Sequence, residues 1–114
     1  MTLTGESVIV LPSVTEQSIW LPIADTATDG TPINPTTGGV AVCFTGGDDP
    51  TSWTNVSWSS DTVVDDGVTY YLVEVPLGTG VGRLTIPKGY WFLWIKLLFT
   101  SPNAIIRHSS IYMY

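Results

Sequence analysis

Tyr90–Thr100 reads Tyr-Trp-Phe-Leu-Trp-Ile-Lys-Leu-Leu-Phe-Thr, and its reading decides the fold. In a β-strand, successive side chains point to opposite faces. One face of this segment carries Trp91, Leu93, Ile95, Leu97 and Phe99. The other carries Tyr90, Phe92, Trp94 and Leu98, with Lys96 its only charge. A strand of a small antiparallel sheet usually keeps one face in the core and one in water. Here both faces are apolar. A single core can take one of them, and a large apolar patch left on the outside marks an interaction surface. The segment therefore points to an all-β assembly protein before it points to an enzyme.

The rest of the chain agrees with a β architecture. Short β-rich runs recur between turn signals, and no long helical period interrupts them. Ser7–Leu11 is a first strand, ended by Pro12. Gln17–Ala24 is a second, in which Pro22 marks a sheet edge or a bulge. Asp25–Gly39 is a Thr/Pro/Gly/Asp loop, and Gly39–Thr45 is a third strand. Thr51–Asp61 carries Trp53 and Trp58 among small polar residues and reads as an irregular connection or short strand pinned by its indoles. Asp65-Asp66-Gly67 supplies a tight hairpin turn into a strand over Val68–Pro76. A short strand over Arg83–Ile86, the long segment from Tyr90, a turn at Ser101-Pro102-Asn103 and a last strand over Ile105–Tyr114 complete the chain.

This spacing predicts an Ig-like β-sandwich of about seven to eight antiparallel strands, with residues 1–114 forming one domain. Leu84-x-Ile86-Pro87-x-Gly89-Tyr90-Trp91 resembles the corner before the penultimate strand of such sandwiches. There an aromatic hydroxyl can close the corner on the backbone; Tyr90 is the residue that has one, while alternation sets Trp91 in register with Leu93 and Ile95, which leaves open which ring points inward.

Composition narrows the function. Of 114 residues, 12% are charged, about half the usual quarter, so the chain keeps little of its surface strongly hydrated. All ten acids lie between Glu6 and Glu74, and all four cations, Arg83, Lys88, Lys96 and Arg107, follow them. Four scattered cations in a chain of net charge -6 do not make the basic stripe that nucleic acid requires. The split would suit copies meeting acidic end to basic end. Cys43 is the single cysteine, so no internal disulfide forms, and Val40-Ala-Val-Cys-Phe44 places it in a core strand. No secretion signal is read at the N-terminus, and no apolar run reaches the length of a membrane-spanning helix. The expectation is cytoplasmic synthesis, no nucleic-acid partner and no membrane.

Candidate chemistry is thin. His108, the one histidine, lies in Arg107-His-Ser-Ser-Ile111, where neighbouring strand residues point apart, and no Gly-x-Ser-x-Gly elbow accompanies it. Asp48-Asp49 and Asp65-Asp66 sit beside Pro and Gly as turn residues, without calcium-loop spacing. Gly78-x-Gly80-x-Gly82 lacks the Gly-Lys-Ser/Thr ending of a phosphate loop. No catalytic residue, metal site or cofactor is expected. Trp53, Trp58 and Trp94 could form a sugar-stacking platform, but Trp and Tyr equally serve as protein-interface anchors. Tyr90, Phe92 and Trp94 are the first interface candidates, and Trp53 and Trp58 the next.

Several segments in order resemble a family of small virion proteins of tailed phages, best represented in phages of actinobacteria. They are Gly30-Thr-Pro-Ile-Asn-Pro-Thr36, Val40–Phe44, Asp49-Pro-Thr-Ser-Trp53 with Trp58, and Tyr71-Leu-Val-Glu-Val-Pro-Leu-Gly78. Leu84-Thr-Ile-Pro-Lys-Gly-Tyr90, Trp94-Ile-Lys96, Ser101-Pro102 and Arg107 continue the series. The resemblance spans about residues 17–114. It implies an Ig-like sandwich without enzyme activity, held in the virion. On that basis the chain is expected to be a capsid decoration or minor capsid protein of a phage head. Its expected partners are the major capsid protein and other copies of itself. A head–tail connector or tail ornament, and a carbohydrate-binding module for host surfaces, stand as alternatives. The chain departs from the family in its greasier long strand, at Phe92 and Leu97-Leu98-Phe99, and in its Ile111-Tyr-Met-Tyr114 end. Both departures add apolar surface for a neighbour to cover.

Overall fold

A computed structural model describes residues 7–12, 16–26, 32–98 and 104–114. The turn expected at 101–103 lies outside them. Among the described residues nine strands form: β1 Ser7–Leu11, β2 Gln17–Ile23, β3 Asp25–Thr26, β4 Pro32–Ile33, β5 Val40–Thr45, β6 Thr54–Asp65, β7 Val68–Leu77, β8 Gly89–Leu97 and β9 Ala104–Met113. The described residues contain no α-helix, only a 3-10 turn at Pro35–Thr37 capped by the Asn34 side chain. The protein is all-β.

Seven strands make one mixed sheet in the order β1-β9-β8-β5-β6-β7-β2, curled as a half-barrel, while β3 and β4 pair separately. Two expectations are corrected here. The sheet is not wholly antiparallel, because β1 runs parallel to β9, from Ser7 beside Ser109 to Leu11 beside Met113. Thr51–Asp61, expected as an irregular connection or short strand, instead leads from Thr54 into a twelve-residue strand, β6. Its first residues pair with β5 (Val56 with Val40) and its later ones with β7 (Ser57 with Glu74). The handover falls between Val56 and Ser57, and a shift in the β6–β7 ladder follows between Trp58 and Thr62. Bulges of this kind bend and twist a strand, so β6 is bent just after it enters the far arm.

The curl has one inside. Leu21 and Ile23 of β2, Val73, Val75 and Leu77 of β7, Val40 and Val42 of β5, Leu93, Ile95 and Leu97 of β8, and Ile111 and Met113 of β9 share a single buried cluster. Alternation explains the set, since each strand contributes every second residue. The face of Trp91, Leu93, Ile95 and Leu97 is therefore the inner face of β8. Trp58 and Trp91 pack on the rim of the cluster. The indole N–H of Trp58 donates to the Gly38 carbonyl at 2.9 Å, and that of Trp91 donates to the Pro87 carbonyl at 2.9 Å. The corner before β8 is thus closed by Trp91 and not by a hydroxyl of Tyr90, which points outward. The strand expected over Arg83–Ile86 reduces to one bridge, Leu84 beside Leu77.

His108 ties the arms across the open side. A register shift between Leu93 and Trp94 takes His108 out of the β8–β9 ladder. Its Nε2–H donates to the carbonyl of Pro22 on edge strand β2 at 3.0 Å. A carbonyl only accepts, so Nε2 carries the proton, and in the neutral ring Nδ1 accepts from the Ser109 hydroxyl at 3.2 Å. The lone histidine is a structural tie, and Pro22, lacking an N–H, costs no ladder bond at an edge.

At the other end, Glu16 clamps the glycine loop. Its Oε1 accepts from the Thr79 backbone N–H at 2.6 Å and from the Thr79 hydroxyl at 2.7 Å, and Arg83 Nε stands 3.8 Å from Oε2. The Thr79 backbone donor, with its hydroxyl next, holds the carboxyl below its ordinary value of 4.5. Gly78 has φ +140° and a Cβ there would overlap the Glu16 carboxylate. A carboxyl acidified by folding stabilises the fold above its ordinary range, and that contribution is lost as pH falls through the folded value. Glu16→Gln should lower the urea midpoint at pH 7, and the difference from wild type should shrink at a pH below the ordinary value of 4.5. Gly78→Ala should be destabilising at both pH values, by about 1–3 kcal/mol. Equal midpoints for Glu16→Gln and wild type at pH 7 would remove the clamp.

Candidate functional site

The outward face of the β1-β9-β8-β5 arm is the candidate site. β8 lies between β5 and β9, so both of its edges are paired and only its outer face is left to face solvent. The long strand places Tyr90, Phe92, Trp94 and Lys96 there, and β9 adds Arg107, Tyr112 and, just past its end, Tyr114. Parallel pairing sets Val10 beside Tyr112 and Val8 beside Ser110, so β1 extends the same apolar surface. Val8, Val10 and Tyr90 are exposed, Tyr90 by 71%. Tyr90 and Tyr112 face each other as a cross-strand pair and stack with ring centroids 4.4 Å apart. Tyr114 lies 6.4 Å from Tyr112.

The face is aromatic without being uncharged. Lys96 Nζ stands 4.6 Å over the Trp53 ring, and the Arg107 guanidinium stands 4.8 Å over Phe92. Such contacts contribute about 0.5–1 kcal/mol at exposed sites and leave the cations partly hydrated. Trp94 donates its indole N–H to Thr45 Oγ1 at 2.9 Å, across the neighbouring strand. Beneath this layer Ala41, Cys43 and Thr45 are buried although they lie on the outward side of β5. Strands β1, β5, β8 and β9 carry no acid. A shallow hollow of about 290 Å³ opens between Gly46, Tyr90, Trp91, Phe92 and Ser110.

Of the five interface candidates, Tyr90, Phe92 and Trp94 fall on this face in a row, and Trp53 joins them through Lys96. Trp58 does not, because its ring is turned to the core rim and its N–H is used on Gly38. The sequence reading missed Val8, Val10 and Tyr112, which reach the face through the parallel β1–β9 pairing. It also passed over Trp20, which is 52% exposed on the opposite arm. Trp20 lies beside Glu74, and Glu74 beside Ser57, at the margin of a cleft of about 420 Å³ lined by Asn55, Ser57, Glu74 and Arg83 among others. The alternation in β2 marks Trp20 as outward once Leu21 is known to be inward.

Among the described residues no three His, Cys, Asp or Glu side chains gather to hold a metal ion, and no helix is long and apolar enough to cross a membrane. Compared with known proteins, the chain matches no family model, no curated protein and no solved structure.

Cys43 reports on the aromatic layer. It is 4% exposed and sits opposite Trp94 in the β5–β8 ladder. A thiol reagent should label it only slowly in the native chain. Trp94→Ala should raise the labelling rate about tenfold or more while the far-ultraviolet dichroism remains that of a β protein. An unchanged rate would mean that Trp94 does not cover this strand.

Proposed function

We propose that this chain is a non-enzymatic structural protein of a phage virion, an Ig-like decoration or minor capsid protein that binds the major capsid protein and stabilises the head. The observation that carries the reading is the aromatic outer face of β8 and β9, flanked by exposed Val8 and Val10 on β1. The sheet order supports the Ig-like part. One arm runs β1-β9-β8-β5-β6 with a parallel first strand, the other runs β6-β7-β2, and β6 passes between them. The arms enclose one core, as two packed layers do. The resemblance to small phage virion proteins supplies the particle as the setting.

Apolar burial is the working interaction. A standard interface buries about 800 Å² per partner. At about 25 cal/mol per Å², apolar burial of that size gives roughly 20 kcal/mol before association costs, enough to hold a subunit on a lattice. Tyr90 is the first anchor, since its ring is exposed and held by stacking on Tyr112. Phe92 and Trp94 set the floor beside it.

The test is the copy number of this chain in purified virions, by quantitative mass spectrometry against the major capsid protein. A simple lattice-wide fraction is expected. Copies at the level of neck or tail rings would move the chain to the head–tail junction or tail, and absence would end the virion reading. On isolated capsids, Tyr90→Ser with Val10→Ser should weaken binding at least tenfold and leave the melting temperature unchanged. Full binding by that double variant would remove the face from the contact.

One observation favours a carbohydrate-binding reading, the exposed Trp20 beside Glu74 and the cleft of the opposite arm, whose lining mixes apolar groups with Asn55, Ser57, Glu74 and Arg83. Flat rings stack on sugar faces while carboxylate, amide and hydroxyl groups bond the sugar hydroxyls. That reading requires retention of the isolated chain on host cell-wall glycan, lost in Trp20→Ala. Passage of the wild-type chain without retardation dismisses it.

A further inference from the structure

The second unusual surface is the far half of the β6–β7 hairpin. β2 ends its pairing with β7 at Ile23 beside Tyr71, and β5 ends its pairing with β6 at Val56 beside Val40. Beyond those points β6 and β7 have only each other, from Thr62 beside Tyr71 to Asp65 beside Val68. Residues 61–69 are all exposed. The chain turns through Asp66 at φ 51° and Gly67 at φ 77°, the positive pair that a two-residue hairpin needs. The result is a two-stranded ribbon standing off the body. A free ribbon of this kind is marginal in water by itself. Its tip is neither bland nor polar. Val63, Val64 and Val68 are exposed, Val64 by 68%, beside Asp61, Asp65 and Asp66, with no cation in the segment.

The aromatic face has the opposite character. It is apolar, it holds Lys96 and Arg107, and its strands have no acid. The ribbon cannot reach the face of its own chain, because it continues the β6–β7 arm, the other limb of the curl. We infer that the ribbon of one copy seats on the Trp53–Lys96–Arg107 end of the aromatic face of a second copy, with Val63 and Val68, which share one side of the ribbon with Asp65, against the rings and its aspartates toward the cations. Each copy has one ribbon and one face, so two copies can make both contacts at once in a closed twofold pair. The Tyr90–Tyr112 end of the face stays outside this contact. The pair rests on the face being a protein-docking surface, as in the virion reading, and not on the capsid as partner.

The experiment is sedimentation velocity of the full chain in about 50 mM and about 500 mM salt, over a range of micromolar concentrations. A dimer that forms with concentration and weakens with salt is expected, since exposed charge pairs are screened. Asp61→Lys with Asp65→Lys should weaken it about tenfold or more, and Lys96→Glu should do the same. Mixing those two variants should restore dimers, because both ribbon-to-face contacts in the mixed pair are again between opposite charges. Circular dichroism melts check that each variant folds. A second measurement needs no substitution: carbodiimide coupling of mixed ¹⁴N and ¹⁵N wild-type chains should join Lys96 to Asp61 or Asp65 between copies. A monomer throughout the low-salt range overturns the inference. So does a dimer indifferent to the reversals, a mixture that stays monomeric, or a dimer without the Lys96–ribbon cross-link. A chain that dimerises this way but is missing from virions retains the pair and loses the decoration reading. A chain present on virions yet monomeric in solution does the reverse.

Discussion

β8 is the strand on which the rest of the structure depends, because it is paired along both edges and apolar on both faces. Its inner residues Leu93, Ile95 and Leu97 have no more than 1% of their surface exposed and touch the core from the centre of its arm. Its edges are taken by β5 and β9, so no ladder bond remains for a partner. A partner must therefore approach the outer face through side chains. That constraint selects rings, which offer large contact area at little rotamer cost, and it is rings that the chain places there. It also explains the two cations. An ammonium over Trp53 and a guanidinium over Phe92 keep some water at a surface that would otherwise be apolar from Val10 to Trp94.

The bend in β6 is the second constraint. A straight twelve-residue strand would span about 40 Å and would flatten the sheet. The strand passes from β5 to β7 between Val56 and Ser57, and the shift after Trp58 bends the piece that belongs to β7. Trp58 fixes the bend from inside, by its packing on the core rim and its bond to Gly38. The curl then brings β2 opposite β9, where His108 meets Pro22. Three residues that invite chemical readings, a tryptophan, a histidine and a carboxylate at Glu16, are thus occupied in holding the sheet in shape.

Much of this was legible in the sequence, for physical reasons that differ along the chain. Period-two alternation located β1, β2, β5, β7, β8 and β9 and chose the row Tyr90, Phe92, Trp94. Asp66-Gly67 announced its turn because few residues tolerate positive φ there. The bend of β6 was not legible, since a bulge after Trp58 resets the alternation, and Trp53, which precedes the strand, stands at a spacing from Trp58 that fits no regular period. The parallel β1–β9 pairing was not legible either, because pairing direction leaves no mark on a five-residue strand. With it went Val8 and Val10. Tyr90 and Trp91 could not be ranked as the closing ring of the corner, since both carry a donor and only register decides which one points back at Pro87.

The uncovered face follows from how a chain of this length can be folded. One curled sheet encloses one core, and a second apolar face needs a further layer. Besides the two-residue strands of the β3–β4 pair, the described residues hold one strand pair not already committed to that core, the ribbon past Asp61. Its path is fixed by β6, which leaves β5 after Val56 and joins β7 on the far arm. Folding back onto β8 would require β6 to abandon β7, exposing Val73 and Val75, which are wholly buried. At about 1.5–3 kcal/mol for each such side chain, that loss is not recovered by covering a face already half shielded by its own rings and cations. The face is therefore left uncovered within the chain by the same burial that makes the fold stable, and any molecule that covers it has to meet a row of rings with two cations among them.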